Sequence, residues 1–314
     1  MVWGGRRLAA ALNKPLLPGQ MYGETWEISD HPAHRSKIPT GDLAGKTLRD
    51  LMEQHAEALL GKHATSHSTF PWLIKFLDAS DWLSVQVHPD EVAVRELWPG
   101  EGSKTEAWFI ISALPGSRIY AGLRPGVDRH TIREHLEAGN VAECLHSFEP
   151  RAGDCVFLPS GTVHAVGGGV LIAEIQQTSD ATFRLFDWNR QDASGRRREL
   201  HIEQALSCIA WHQGPVEPIK TQSLSRLPGA AGSVRQELVC CPYFLLDYLE
   251  SREPVTLQGG RLQALMVLDG QAQLSNSSFH EPTRAGDVWL LPASLPRLDC
   301  RPDDSFKSLI CQLP

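Results

Sequence analysis

Glycine at 26 positions and proline at 21 cut this 314-residue chain into many short apolar runs, few of them long enough for a helix. Short apolar runs bounded by Gly and Pro build antiparallel β-structure. The sequence therefore predicts a mainly β protein with helical insertions. Three insertions stand out by apolar residues at helical spacing. Residues 47–60 carry Leu48, Leu51, Met52, Ala56, Leu59 and Leu60; residues 127–142 carry Ile132, Leu136 and Val141; residues 200–211 carry Ile202, Ala205, Leu206 and Ile209.

The chain also repeats itself. Arg151-Ala152-Gly153-Asp154, the strand Cys155-Val156-Phe157-Leu158 and Pro159 match Arg284-Ala285-Gly286-Asp287, Val288-Trp289-Leu290-Leu291 and Pro292 in order and spacing. Upstream, Glu106-Ala107-Trp108-Phe109-Ile110-Ile111 has an echo in Gln263-Ala264-Leu265-Met266-Val267-Leu268. A strand, a Gly-Asp turn and a second strand entering a Pro-led turn are parts of a jelly-roll half, so two jelly-roll β-barrels are expected, at 1–215 and 216–314. The copies differ in chemistry. His164 stands five residues after Pro159 where Arg297 follows Pro292, and Glu106 stands opposite Gln263. Only the first copy retains metal-binding groups, and the second reads as degenerate.

Within 1–215, Leu83-Ser84-Val85-Gln86-Val87-His88 alternates with period two, placing Ser84, Gln86 and His88 on one strand face. Glu106 opens an apolar strand, where a carboxylate needs a partner or a metal. His164 follows the turn Pro159-Ser160-Gly161-Thr162-Val163, and Glu174 and Gln176 share a face of Val170-Leu171-Ile172-Ala173-Glu174-Ile175-Gln176. Polar groups on several apolar strands imply one polar pocket inside a barrel. Two imidazoles, a carboxylate and an amide oxygen suit a divalent first-row ion, Zn²⁺ above all. Asp154 reads as a turn residue, and Trp3, Trp26, Trp108 and Trp188 read as packing.

Three segments carry a resemblance: Gln86-Val87-His88-Pro89-Asp90-Glu91, Gly102-Ser103-Lys104-Thr105-Glu106-Ala107-Trp108, and residues 153–190 with Arg184-Leu185-Phe186-Asp187-Trp188-Asn189-Arg190 at their end. With Val2-Trp3-Gly4-Gly5-Arg6 and Gly23-Glu24-Thr25-Trp26-Glu27-Ile28-Ser29, they resemble type I mannose-6-phosphate isomerases of the short bacterial form, which are cupin-type enzymes. Chain that usually precedes the Trp-Gly-Gly segment in the family is short here, which points to a misassigned start or a missing first strand. The resemblance implies one zinc per chain on Gln86, His88, Glu106 and His164. It places Ser84 and Lys75 toward a substrate phosphate, and Lys104, Glu174 and Arg184 near the reacting carbons. Isomerisation of an aldose to a ketose needs a base between two carbons; Glu174 is one candidate and a water at the metal another. Two alternatives stay open: an iron oxygenase using His88, Glu106 and His164 as a facial triad, or a sugar-phosphate-binding cupin without turnover.

Composition narrows the partners. A net charge of -7 argues against nucleic acid. No apolar run reaches bilayer length, and seven cysteines without a CxxC pair read as reduced residues of a cytoplasmic protein. No dinucleotide fingerprint or phosphate-cradling loop is present. The expected partner is a small sugar phosphate.

Overall fold

A computed structural model describes residues 3–191, 194–221 and 232–314. Its strands form three sheets. A six-stranded sheet runs in the order β1 (Glu24–Ile28), β2 (Trp72–Ala79), β9 (Val170–Gln177), β4 (Glu106–Ala113), β7 (Asp154–Leu158), β11 (Ile219–Lys220). A five-stranded sheet runs β10 (Phe183–Phe186), β3 (Val85–Val87), β8 (His164–Val166), β5 (Ile119–Leu123), β6 (Leu145–Phe148). The third holds β12 (Ser233–Cys240), β13 (Leu245–Ser251), β18 (Arg297–Gln312), β15 (Gln263–Ser275) and β16 (His280–Arg284), with β14 (Val255–Gln258) on β18 and β17 (Val288–Leu291) on β15.

The chain divides into two compact units, and neither is contiguous. One gathers Met1–Arg6, Pro18–Thr25 and Lys75–Ile219; the other gathers Arg7–Leu17, Trp26–Ile74 and Lys220–Pro314. A single cut at 215/216 does not capture this interleaving, because local pattern carries no information on which distant strands a segment packs with. In the first unit, Leu77, Trp108, Ile110, Val156, Leu158 and Ile172 of the larger sheet meet Ile119, Ala121 and Val166 of the smaller one in a single core. The opposite face of the smaller sheet, through Val85, Val87, Ala165 and Leu185, packs against helical residues Ile132, Ala205 and Leu206. The second unit has its own core of Leu257, Leu265, Val267, Leu274, Leu298, Phe306 and Ile310.

Among the described residues, six α-helices accompany the strands: α1 (Arg7–Leu12), α2 (Leu48–Gln54), α3 (Ala56–Leu60), α4 (Glu91–Leu97), α5 (Arg129–Ala138) and α6 (Ile202–Cys208). The expected helix at 47–60 is two helices. Its apolar spacing runs on through His55, but His55 leaves the helical region at φ -139°, closing α2 and opening α3. A capping box of Thr47 and Asp50 starts α2. The 127–142 helix is shorter, ending at Gly139 with φ 74° before a 3₁₀ turn at Val141–Cys144. Helix α4 was not expected; Asp90 caps it by accepting from the Val92 and Ala93 amides. No helix among the described residues is long and apolar enough to cross a membrane.

The two sequence repeats adopt one register. Strand β4 pairs with β7 as Glu106↔Leu158 through Phe109↔Cys155, and β15 pairs with β17 as Gln263↔Leu291 through Met266↔Val288. Gly153, at φ 92°, donates to the Ile110 carbonyl at 2.9 Å; Gly286, at φ 93°, donates to the Val267 carbonyl at 2.8 Å.

Candidate metal centre and pocket

Strand alternation places the polar groups inside. On β4, Trp108 and Ile110 enter the core between the sheets, so Glu106 two residues earlier faces the same way. The same rule turns Glu174 and Gln176 inward behind Val170 and Ile172 on β9, His164 inward ahead of Val166 on β8, and Lys75 inward ahead of Leu77 and Ala79 on β2. On β3, Val85 and Val87 go to the helix-covered side, which leaves Gln86 facing in. Arg184 lies directly opposite Gln86 across the β10–β3 pair and shares its face.

The inward groups converge. The ligand-type atoms of His88, Glu106 and His164 lie within 4.8 Å of one another, and all three residues are buried. His88 Nε2 is 3.4 Å from Glu106 Oε2, and His164 Nε2 is 3.4 Å from Glu106 Oε1. The other ring nitrogens are engaged by main chain: His88 Nδ1 lies 2.8 Å from the Ala181 carbonyl and His164 Nδ1 lies 2.9 Å from the Thr162 carbonyl. A carbonyl only accepts, so each Nδ1 carries the proton and each Nε2 presents its lone pair to the centre. The Gln86 amide approaches His164 Nε2 at 3.2 Å through its nitrogen and accepts from Ser84 Oγ at 3.2 Å through its oxygen. Turning that amide about its own axis would bring Oε1 to the centre instead.

His88 Nε2 and both Glu106 oxygens are buried without hydrogen-bond partners, as is Gln176 Oε1, whose residue pairs with Glu106 across β4 and β9. The Lys104 ammonium is 3.1 Å from Glu106 Oε2, close enough for an ion pair but outside hydrogen-bond geometry. Converging buried acceptors without hydrogen bonds are costly, and one ammonium beside Glu106 leaves His88 Nε2 unmet; a metal cation at the centre would satisfy them together. Two neutral imidazoles and a carboxylate are a donor set that fits a divalent transition ion.

Charge at the site follows from burial and neighbours. Burial, reinforced by Lys104, pushes the His88 imidazolium down to about 3, and burial likewise lowers His164, so both rings stay neutral. Burial alone would raise Glu106, but the Lys104 ammonium beside it outweighs burial and holds the carboxyl well below the usual range. Burial disfavours the Lys104 ammonium, yet Glu106 and then Glu174 keep it above its ordinary value. Glu174 moves the other way. Burial first, and then the charge of Glu106, raise it to about 7, against the pull of Lys104 and Lys75.

The structure therefore brings Gln86, His88, Glu106, His164, Lys104, Glu174 and Lys75 into one interior. The two residues expected at a phosphate have protein neighbours: Ser84 bonds the Gln86 amide, and Lys75 Nζ lies 3.9 Å from Glu24 and 3.8 Å from Glu174. Arg184 is half-buried; its Nη1 donates to the Glu199 carbonyl at 2.8 Å and its Nε is buried without a hydrogen bond. The reading of the sequence missed Glu24 and the polar use of Trp108, whose indole Nε1 donates to Glu174 Oε2 at 2.8 Å. The two-residue step from Glu106 to Trp108 was the available signal. The described cysteines are free, and burial pushes the Cys155 and Cys208 thiols up to about 12, so neither is a nucleophile at neutral pH.

Residues 1–107 match the family description of the phosphomannose isomerase type I catalytic domain. Over 295 residues, 94% of this chain and 90% of the relative, the sequence is 37% identical to the mannose-6-phosphate isomerase of Streptococcus mutans. This chain belongs to the type I mannose-6-phosphate isomerase family. Mannose-6-phosphate isomerase ManA of Bacillus subtilis is 32% identical over 94% of the chain and 90% of its own length. The crystal structure of the mannose 6-phosphate isomerase from Bacillus subtilis superposes with a TM-score of 0.90 at 28% identity, covering 100% of this chain and 96% of that one. The mainly β, cupin-type scaffold with helical insertions expected from the sequence is thus the scaffold of a mannose-6-phosphate isomerase family member.

Proposed function

We propose that the protein interconverts mannose 6-phosphate and fructose 6-phosphate through an enediolate, with one zinc ion held by Gln86, His88, Glu106 and His164. The observation that carries the metal is the set of buried lone pairs on His88 and Glu106 that converge without hydrogen-bond partners, with one ammonium, Lys104, beside Glu106. A zinc ion there supplies Lewis acidity toward the sugar oxygens.

The chain's own groups account for the rest. Glu174, balanced near pH 7 by burial, removes the C2 proton of the open-chain aldose. The C2–H electron pair becomes the C1=C2 bond, and the carbonyl electrons settle on O1 as the enediolate. Lys104 and Arg184 offer positive charge to that oxyanion, which gains most from such neighbours in a water-poor interior. Reversal at the adjacent carbon completes the exchange: O1 gains a proton, O2 loses one and becomes the carbonyl, and Glu174 returns its proton to C1. Ser84 and Lys75 exchange their present neighbours for the substrate phosphate, a grip that aligns the reacting carbons. Reduced cysteines and a sugar-phosphate substrate suit a cytoplasmic enzyme with neither nucleic acid nor membrane as partner.

The test is turnover of mannose 6-phosphate by purified protein before chelation, after chelation, and with Zn²⁺ restored. Loss and recovery are expected. A folded, zinc-loaded protein that turns nothing over would sink the reading, and oxygen uptake by iron-loaded protein would favour an oxygenase in its place.

A further inference from the structure

We propose that Trp108 is a positioning residue for isomerisation, its indole N–H fixing the Glu174 carboxylate in the orientation from which it moves the proton. The inference rests on the reading of Glu174 as the base. Trp108 and Glu174 are directly opposed on β4 and β9, so their side chains leave the sheet side by side. The Nε1–Oε2 distance is 2.8 Å, Trp108 is 2% exposed and Glu174 is 3% exposed, so water does not compete for the bond. The other carboxylate oxygen, Oε1, lies 3.8 Å from Lys75 Nζ. That ion pair is too long for a hydrogen bond and is given up when Lys75 turns to the substrate phosphate, so the indole is the anchor that stays. The indole occupies Oε2, which leaves Oε1 to carry the transferred proton.

The ring itself is fixed by the metal centre. It meets the His164 imidazole edge to face, with centroids 5.2 Å apart and an interplanar angle of 85°. One rigid side chain, with only two rotatable bonds, therefore spans the base and a ligand. Tryptophans that serve packing place the N–H differently: Trp72 donates to the Tyr243 carbonyl and Trp188 to the Leu83 carbonyl. Trp108 donates to an ionisable acid whose orientation the reaction depends on. A carboxylate released from such a bond samples positions about an ångström away, a displacement that costs on the order of 10²-fold in rate.

The decisive variant replaces Trp108 with β-(3-benzothienyl)alanine, which keeps the bicyclic shape and deletes only the N–H donor; Trp108→Phe accompanies it. Both are assayed as zinc-loaded enzyme with mannose 6-phosphate and with its C2-deuterated form. The expected result is a kcat lower by roughly 10–100-fold with KM changed less than about threefold, together with a larger primary isotope effect and full zinc content. Unchanged kcat and isotope effect in the benzothienyl variant overturn the proposal, as does a loss confined to KM or to zinc content. Should Trp108→Phe not fold, the benzothienyl variant alone decides. Wild-type enzyme and Glu174→Gln separate the underlying readings: no wild-type turnover rejects the isomerase, and an active Glu174→Gln rejects the base.

Discussion

Strands β4, β7 and β9 in the first unit and β15, β17 and β18 in the second are one frame used twice. Register, glycine turn and even the bulge recur: pairing slips between Ile110 and Ser112 in one and between Val267 and Asp269 in the other. The ligand positions differ. Gln86 pairs with His164 in the first unit, Gln258 with Arg297 in the second, and Glu106 is replaced by Gln263. There the polar groups are satisfied internally: Gln263 donates to the Gln258 carbonyl, and Arg297 is exposed and paired with Asp299. Two residues beyond Gln258, where His88 follows Gln86, stands Gly260 at φ 81°, a conformation that disfavours histidine. The frame folds without the constellation, so the buried acceptors of the first unit that lack hydrogen bonds serve no need of the frame. Each costs about 1–3 kcal/mol if left unmet, which is the signature of a site kept for binding.

Glu106→Gln gives the first unit the residue its counterpart already carries, and it should produce the largest effect. Metal binding is lost and turnover falls by at least roughly 10²–10³-fold, while circular dichroism stays native because the frame does not depend on the carboxylate. Zinc should raise the melting temperature of wild type and leave that of the variant unmoved. A variant that holds zinc at full stoichiometry would break the comparison at its centre.

The next effect is one of pH. The folded pKa of Glu174 is raised to about 7 from 4.5, so the folded state binds the extra proton between those values. The stability from this group is whole below about pH 4.5 and lost as pH rises through about 7, about 3 kcal/mol in all. Glu106, lowered, has the opposite sign, so the measurement is a difference. Denaturant unfolding of metal-free Glu174→Gln against metal-free wild type should show the variant gaining relative stability between pH 4.5 and 7. A flat difference would mean that Glu174 is not held protonated by its surroundings.

Much of this site was legible in the sequence because period-two strands make an inward polar residue conspicuous among apolar ones. Glu106 ahead of Trp108-Phe109-Ile110, and Glu174 after Leu171-Ile172-Ala173, violate hydrophobic burial in plain view. What was hidden depends on partners far along the chain. Nothing local pairs Trp108 with Glu174 or sets Glu24 beside Lys75, and the Thr162 and Ala181 carbonyls that orient the imidazoles have no residue-type signature. The segments 7–17 and 26–74 fold with the C-terminal strands for the same reason. The break at His55 was invisible because the helical spacing continues across it.

Gln263→Glu tests the second unit in reverse. Gln263 is 4% exposed, and its amide donates to the Gln258 carbonyl. A carboxylate there loses that bond and faces an acceptor, so destabilisation of about 1–3 kcal/mol is expected by denaturant titration. A neutral outcome accompanied by new zinc binding would show that the second unit is closer to a metal site than its residues indicate.

The smallest effect is the most exacting test of the shared frame. Asp154 accepts from the Arg151 amide at 2.9 Å, and Asp287 accepts from the Arg284 amide at 2.9 Å, each closing the turn before its strand. Alanine at either position should cost about 1 kcal/mol, because one backbone donor loses its partner. The losses need not be equal. Asp154 is 6% exposed and Asp287 half-buried, so deleting the Asp154 carboxyl removes more packed volume. Asp287 also accepts from Thr283 at 3.3 Å, a long bond that adds little. Denaturant titration should therefore place Asp154→Ala slightly below Asp287→Ala in stability, with zinc content and turnover unchanged in both. A turnover loss in Asp154→Ala alone would mean that the turn positions the metal centre as well as the strand.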